Sequence, residues 1–245
     1  MAQNPYLLMC LIILHQSSPA GKLPLNPGSL FYRLAEYLWN RERIRQTRGW
    51  IPFVEAEALF ARLGFKMIEE DRPTSVPRHY ANGILGGQDI IHCGVSANIL
   101  ENTGDQIKFY HQLMQDCFAG LHLYRMGSAH LVAQLGSKWS EAVIALCGIV
   151  PNPEAIVLDA IKSDVHLAGR CVDSGIAVSN KIRHRIVTKL NQELSSSGKV
   201  LVAQENREVF GFVKENLSGA QRRKSAASGE RGAGKGGQPL SPPQH

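Results

Sequence analysis

The chain has 245 residues, of which 44% are hydrophobic and 20% are charged, so it is long enough and apolar enough to bury a substantial core. These proportions exclude a collagen-like or wholly disordered chain. The formal net charge is +6, but residues 219–245 hold five Lys or Arg and one Glu, which leaves 22 basic against 20 acidic residues, or +2, in residues 1–218. Binding of nucleic acid by the main body therefore requires local clustering of its cations.

An apolar run at residues 6–14 is about half as long as a membrane span requires, so we expect no membrane-spanning segment there. No Lys or Arg precedes Lys22, so the run lacks the positive region of a signal peptide, although Ser18 and Ala20 would suit a cleavage site. The five cysteines are widely spaced and form no metal-binding motif, which is typical of buried thiols in a reducing compartment. We therefore expect a cytoplasmic protein, with secretion as the alternative.

The first part of the chain, residues 1–150, is predicted to be a mainly α scaffold region. Its apolar periodicity and Ser29, a suitable N-cap for the second helix, predict three early helices, at residues 5–16, 29–48 and 54–63. The run Gly-Gly-Gln-Asp-Ile-Ile-His-Cys-Gly at 86–94 predicts a short strand, because apolar residues lie between glycines.

The strongest periodic signal predicts one long helix at residues 105–135. Apolar residues recur there in alternating steps of three and four, which gives the helix a single apolar seam. The seam includes Ile107, Met114, Leu121 and Leu131. Such a seam belongs either to the core or to an interface with a second copy or a helical partner protein. Gly120 and Gly127 would let a neighbouring backbone approach closely.

The last part of the folded region changes from helical to β-type patterns. In order, it comprises a helix at 153–167, a turn-like piece at 169–175, a basic helix at 179–195, and two β-type runs on either side of Glu205-Asn206. This order of elements, over residues 153–213 or about a quarter of the chain, resembles a winged helix-turn-helix. The resemblance implies a DNA-binding module at 151–218, followed by a Gly-, Pro- and Ser-rich basic tail at 219–245 that we expect to be disordered.

The predicted helix at 179–195 has an apolar back and a polar front. The apolar sector holds Ile182, Ile186 and Leu190. The opposite sector carries the cations and hydrogen-bonding groups that a recognition helix presents to the major groove, namely Lys181, His184, Arg185, Thr188 and Gln192. Lys199 and Arg207 would lie on the wing, where phosphate contacts are expected.

These features favour a DNA-binding, regulatory protein that reads the major groove with the 179–195 helix. The alternative is a non-enzymatic adaptor or subunit of a multiprotein assembly. Such a protein would hold its partner through the apolar seam of the 105–135 helix.

No residue pattern identifies a reaction. Residues 229–236 nearly spell a phosphate-binding loop, but Gly236 replaces the Ser or Thr that holds magnesium. His92 and Cys93 are adjacent in the predicted strand and would therefore point to opposite faces. Three histidines of the predicted long helix lack the spacing of a metal-ligand pair, namely His111, His122 and His130. We expect no catalytic residues, metal or cofactor, and an enzyme only if the 86–94 segment carries chemistry.

Overall fold

A computed structural model describes residues 5–17, 24, 26–71, 74–127 and 136–196. The fold of these residues is mainly helical, as the sequence predicts. The helices are α1 (Pro5–Ser17), α2 (Pro27–Ile44), α3 (Phe53–Glu69), α4 (Arg78–Leu85), α5 (Gln88–Ser96), α6 (Gln112–Arg125), α7 (Ser140–Cys147), α8 (Glu154–Ser163), α9 (Val165–Asp173) and α10 (Asn180–Ser196). None of these helices combines the length and the apolar character needed to cross a membrane.

A small antiparallel sheet lies where the sequence predicts the start of the long helix. Its strands, in the order β1-β3-β2, are β1 (Val76–Pro77), β2 (Leu100–Thr103) and β3 (Gln106–Phe109). The prediction of one helix over 105–135 is therefore wrong at its start. Ile107 pairs with Val76 across the sheet, and burial alternates along β3. Ile107 and Phe109 are both buried at a spacing of two, the period of a strand, whereas the step of three from Ile107 to Tyr110 that suggested a helix leads out of β3.

The helix α6 begins only at Gln112. His111 is its N-cap, and the His111 Nδ1 atom accepts a hydrogen bond of 3.1 Å from the Leu113 N–H. The helix ends at Arg125, and Gly127 follows with φ = +68°, a left-handed conformation that suits glycine. Residues 128–135, which complete the predicted helix, lie outside the described residues.

The segment at 86–94 is a turn and a helix, so the prediction of a strand is wrong. Gly86 (φ = +79°) and Gly87 (φ = +150°) connect α4 to α5. The α4 helix stops because Gly86 adopts the left-handed conformation of a C-terminal cap. Two adjacent isoleucines have no periodicity that would distinguish a buried strand from a buried helix. The sequence pattern therefore could not predict the helix.

Residues 53–109 therefore contain helix α3, strand β1, the helix–turn–helix α4–α5 and the hairpin β2–β3. The sequence predicts a helix-turn-helix followed by a hairpin for residues 153–213. The structure has these elements in this order about a hundred residues earlier in the chain. The hairpin predicted on either side of Glu205-Asn206 lies outside the described residues.

The core of this region is aromatic and forms where α2, α3 and α6 meet. The Phe60 ring lies 5.3 Å from the Trp39 ring and 5.5 Å from the Phe118 ring, and all three side chains are fully buried. Glycine permits the closest approach between α6 and α7, since a Cβ on Gly120 would lie 2.5 Å from the Ala142 carbonyl oxygen. The prediction that Gly120 lets a neighbouring backbone approach is confirmed, whereas a Cβ on Gly127 would meet open space.

The later helices continue this packing without a break at residue 150, because α7 contacts both α6 and α9. The helix predicted at 153–167 is interrupted at Asp164, whose extended backbone ends α8 and whose carboxylate caps α9 by accepting the Leu167 N–H at 2.9 Å. The turn-like piece predicted at 169–175 is for the most part helix α9. Asn26, the N-cap of α2, connects α2 to the end of α9, because its side-chain amide donates a hydrogen bond of 2.7 Å to the Ser174 hydroxyl.

Candidate nucleic-acid interface

The helix α10 carries the residues that the sequence predicts to contact DNA. Its first turn is fixed by Ser179, whose carbonyl oxygen accepts the N–H groups of Ile182 and Arg183 at 3.1 and 3.2 Å. The Ser179 N–H itself donates to the Glu154 carboxylate at 2.5 Å. The start of α10 is therefore tied to the first turn of α8, where a negative charge is also favourable.

The back of α10 is buried against α8 and α9. Ile182, Ile186 and Leu190 are buried, at the spacing of four that places residues on one face of a helix. Two polar contacts flank this apolar stripe. The Lys189 Nζ atom donates to the Ile161 carbonyl oxygen at 2.8 Å, and His166 Nε2 lies 3.4 Å from a carboxylate oxygen of Glu193. The orientation of α10 about its own axis is thereby fixed.

The five predicted contact residues of α10 lie together on its exposed face. They are Lys181, His184, Arg185, Thr188 and Gln192. The Thr188 hydroxyl donates to the His184 carbonyl oxygen at 2.9 Å, so it can offer a ligand only its acceptor lone pairs. Lys199 and Arg207, the two predicted wing residues, lie outside the described residues.

The α5 helix is the second helix of the helix-turn-helix at 78–96, but it carries no Lys or Arg. Its fully exposed side chains are Gln88 and His92. Asp89, in its first turn, is paired with Arg48 at 3.0 Å. On the hairpin, Glu101 and Lys108 neutralise each other at 3.2 Å. The α5 helix therefore presents no cationic face.

The pair His92 and Cys93 does not form a site. His92 is exposed, whereas Cys93 is fully buried. Burial, with a further contribution from the charge of Glu42, raises the pKa of the Cys93 thiol to about 12, so the thiol is not a nucleophile near neutral pH.

Two of the three histidines considered as metal ligands make capping or packing contacts within the fold. His111 caps α6 and its ring stacks on Phe31 at 4.7 Å, and His122 packs against Phe65 at 4.6 Å. Burial lowers the pKa of both imidazoles. Within the described ranges no group of His, Cys, Asp and Glu is arranged to hold a metal ion, and His130 lies outside these ranges.

The residues predicted as a partner interface lie in the core, which corrects that prediction. Ile107, Met114 and Leu121 are buried within this chain, Ile107 in the sheet and the other two in α6. Leu131 lies outside the described residues. These three side chains therefore belong to the core of this fold and are not exposed to a partner.

A buried carboxyl group that sequence reasoning missed lies on α6. Asp116 lines a pocket of about 250 Å³ together with Ile68, Asp71, Gln112, Lys138 and Glu141. Burial raises the pKa of Asp116 to about 7, and the charge of Glu141 adds to this effect, while a 3.4 Å hydrogen bond from Gln112 opposes it. The one sequence signal was the adjacent polar pair Gln115-Asp116, which lies between apolar residues of the helix. The pocket faces several charged side chains already engaged in ion pairs, including Lys138 with Asp71 at 2.9 Å.

Comparisons with protein-family profiles, with curated proteins and with solved structures find no match to this chain. Its function must therefore be argued from these surfaces alone.

Proposed function

We propose that this protein binds duplex DNA through the exposed face of α10. The main support for the proposal is that this helix has one buried apolar face and one exposed polar face. Ile182, Ile186 and Leu190 are buried on one side, while a lysine, an arginine, a histidine, a threonine and a glutamine are exposed on the other. An α-helix fits the major groove, where Arg and Lys recognise guanine and Gln recognises adenine.

Three of the exposed side chains have distinct expected roles. Arg185, near the middle of the face, is suited to a bidentate contact with a guanine edge, and Gln192 to a contact with adenine. Lys181, in the first turn, would meet a phosphate, as would the positive end of the helix dipole. The anchors at Ser179 and Lys189 hold the face in one orientation before DNA arrives, which reduces the entropy cost of binding.

The experiment is a fluorescence anisotropy titration of the full chain with labelled duplex DNA at several salt concentrations. If several phosphates are contacted, the logarithm of the association constant should fall steeply and linearly with the logarithm of salt concentration. Arg185→Ala should weaken binding. Arg62→Ala is the matched control, because Arg62 is an exposed arginine on α3.

Two results would refute the proposal. One is that the folded chain binds no duplex at low salt. The other is that Arg62→Ala weakens binding as much as Arg185→Ala does, because a general cationic surface would then explain the affinity without α10.

A further inference from the structure

Two buried thiols meet in the interior between α7 and α9. Cys147 is the last residue of α7 and Cys171 lies within α9, and the two helices pack against each other. The Cys147 thiol is a hydrogen-bonding neighbour of the Cys171 thiol, and this contact, together with burial, raises the pKa of Cys171. Two neighbouring thiols can be joined by a disulfide where the surrounding backbone brings them together.

Contacts before and after the two cysteines hold α7 and α9 together at this point. The carboxylate of Glu141, earlier in α7, pairs with the guanidinium of Arg170, the residue that precedes the cysteine of α9. Beyond the cysteines, the Asn26 side chain contacts Gly148 and Ser174, the residues that cap the ends of α7 and α9. A Cβ on Gly148 would overlap the Asn26 amide oxygen. The backbone is therefore held on both sides of the thiol pair.

The buried thiols of Cys93 and Cys117 have different neighbours. The Cys117 thiol donates to the Gly28 carbonyl oxygen at 3.1 Å. The charge of the Glu42 carboxylate adds to the effect of burial on the pKa of Cys93. In neither case does a second thiol contribute to the raised pKa. These two cysteines therefore serve as internal controls for the pair between α7 and α9.

We propose that Cys147 and Cys171 form a redox-sensitive clamp, a dithiol that a hydroperoxide oxidises to a disulfide linking α7 to α9. The helix α7 contacts α6 and the helix α9 contacts α10, so the disulfide would join the helices that hold α10 to the earlier part of the chain. The oxidant reaches the thiols when α9 opens locally. The Arg170–Glu141 pair opposes this opening only weakly, because both side chains are about half exposed.

The reaction is a two-electron oxidation in two steps. The Cys147 sulfur attacks the O–O bond of the hydroperoxide and becomes a sulfenic acid, and the oxygen that is released takes up the Cys147 proton as an alcohol or, from hydrogen peroxide, as water. The Cys171 sulfur then attacks the Cys147 sulfur. The S–S bond forms as the S–O bond breaks, and the hydroxyl leaves with the Cys171 proton as water. Cys147 reacts first, because the raised pKa of Cys171 keeps that thiol protonated.

The test treats the full folded chain with hydrogen peroxide, alkylates the remaining thiols with iodoacetamide in urea, and maps disulfides by mass spectrometry after proteolysis. We expect a disulfide between Cys147 and Cys171 that dithiothreitol reverses, while Cys93 and Cys117 are recovered alkylated. The oxidised chain should melt about 5 °C or more above the reduced chain, because the disulfide closes a loop that restricts the unfolded state.

Matched variants separate this pair from general oxidation of thiols. In Cys171→Ala the sulfenic acid of Cys147 has no partner thiol and should be trapped by dimedone, whereas Cys147→Ala should give no trapped acid at Cys171. Cys93→Ala, at an equally buried thiol, should leave the disulfide and the rise in melting temperature unchanged. Circular dichroism checks that each variant is folded, and the mapping of the wild-type chain requires no variant.

Three results would overturn the proposal. One is that Cys147 and Cys171 are both recovered alkylated after treatment with peroxide. Another is that the disulfide joins a different pair of cysteines. The third is that the oxidised chain melts no higher than the reduced chain, because the disulfide would then not clamp α7 to α9.

Discussion

Two regions of this molecule contain a helix, a turn and a second helix, and they present very different surfaces. In the first, α4 and α5 are joined at Gly86-Gly87 and followed by a hairpin, but α5 exposes a glutamine and a histidine and no Lys or Arg. In the second, α9 and α10 have no hairpin among the described residues, yet α10 exposes Lys181 and Arg185. The comparison teaches that the order of elements and the chemistry of the exposed face are independent, and that function follows the face.

The two regions also differ in how their last helix is held. The end of α5 is fixed by the fully buried carboxylate of Glu42, which accepts hydrogen bonds from Ser96 on α5 and from Thr47. The α10 helix is held by contacts nearer the surface, such as those of Lys189 and Glu193. The first region should therefore dominate stability, while the second should dominate DNA binding.

The largest effect should come from the aromatic core of the first region. Phe60→Ala removes a fully buried ring that contacts Trp39 and Phe118, and should lower the free energy of unfolding by about 3–5 kcal/mol. Ile186→Ala, on the back of α10, should cost about 2–3 kcal/mol, at the lower end for a buried isoleucine, because fewer elements surround it. Urea unfolding of both variants measures the difference, and a larger loss for Ile186→Ala would reverse the comparison.

Removing the buried carboxylate should be nearly as damaging. Glu42→Ala leaves two hydroxyl groups and the guanidinium groups of Arg41 and Arg45 without their acceptor and should cost about 3–5 kcal/mol. Glu154→Ala, which removes the carboxylate at the start of α10, should cost about 1 kcal/mol. Equal losses in the two variants would show that the two helices are held equally firmly.

The same carboxylate predicts a response to acid. Burial alone would raise the pKa of Glu42, but hydrogen bonds from Ser96 and Thr47 and the charges of Arg45 and Arg41 outweigh it, so the pKa lies below its ordinary value of 4.5. The stability that Glu42 contributes is complete above this ordinary value and is lost as pH falls through the folded pKa. The difference between wild type and Glu42→Ala should therefore be constant near neutral pH and shrink in acid. A difference that instead grows in acid would contradict this assignment.

Asp116 should respond in the opposite direction. Its pKa is raised by burial from 3.8 to about 7, so ionisation of this group destabilises the folded chain increasingly as pH rises from about 4 to 7. Asp116→Asn should therefore stabilise the protein at pH 8, by at most about 4 kcal/mol, and have little effect at pH 4. Thermal unfolding at the two pH values measures this, and a gain at pH 4 equal to that at pH 8 would exclude ionisation as the cause.

A smaller effect should separate the two helix-turn-helix units in DNA binding. Arg185→Ala should cost about 1–3 kcal/mol of binding free energy, whereas His92→Ala on α5 should leave the affinity unchanged. Lys199→Ala should weaken binding to all sequences alike and reduce the salt slope. If His92→Ala weakens binding more than Arg185→Ala does, the first unit is the one that contacts DNA.

The smallest effect is expected at Thr188. Its hydroxyl donates to the His184 carbonyl oxygen within α10, so Thr188→Val removes only an exposed local contact and should change stability by less than about 0.5 kcal/mol. DNA affinity should change less than twofold, about 0.4 kcal/mol. Anisotropy titration at one salt concentration is sufficient, and a loss comparable to that of Arg185→Ala would show that the Thr188 hydroxyl contacts a base.

The sequence by itself determined the helical class and the two faces of α10, because both depend on local periodicity. Ile182, Ile186 and Leu190 recur every four residues, and no distant contact is needed to decide which side they occupy. The burial of the cysteines at 93, 117, 147 and 171 likewise follows from their apolar character and their lack of a metal-type spacing.

Only the tertiary structure decided the strands, the turn at Gly86-Gly87 and the surroundings of single polar groups. Residues 106–109 form a strand because they pair with residues 100–103 in a hairpin and, through Ile107, with Val76, which is distant in sequence. The pKa of Asp116 is raised to about 7 because the fold buries it, and the Glu42 carboxylate is held by Ser96, which is distant in sequence. The local periodicity of the sequence determines which face of a helix or strand is apolar. Burial and pairing between residues that are distant in sequence determine what that face contacts.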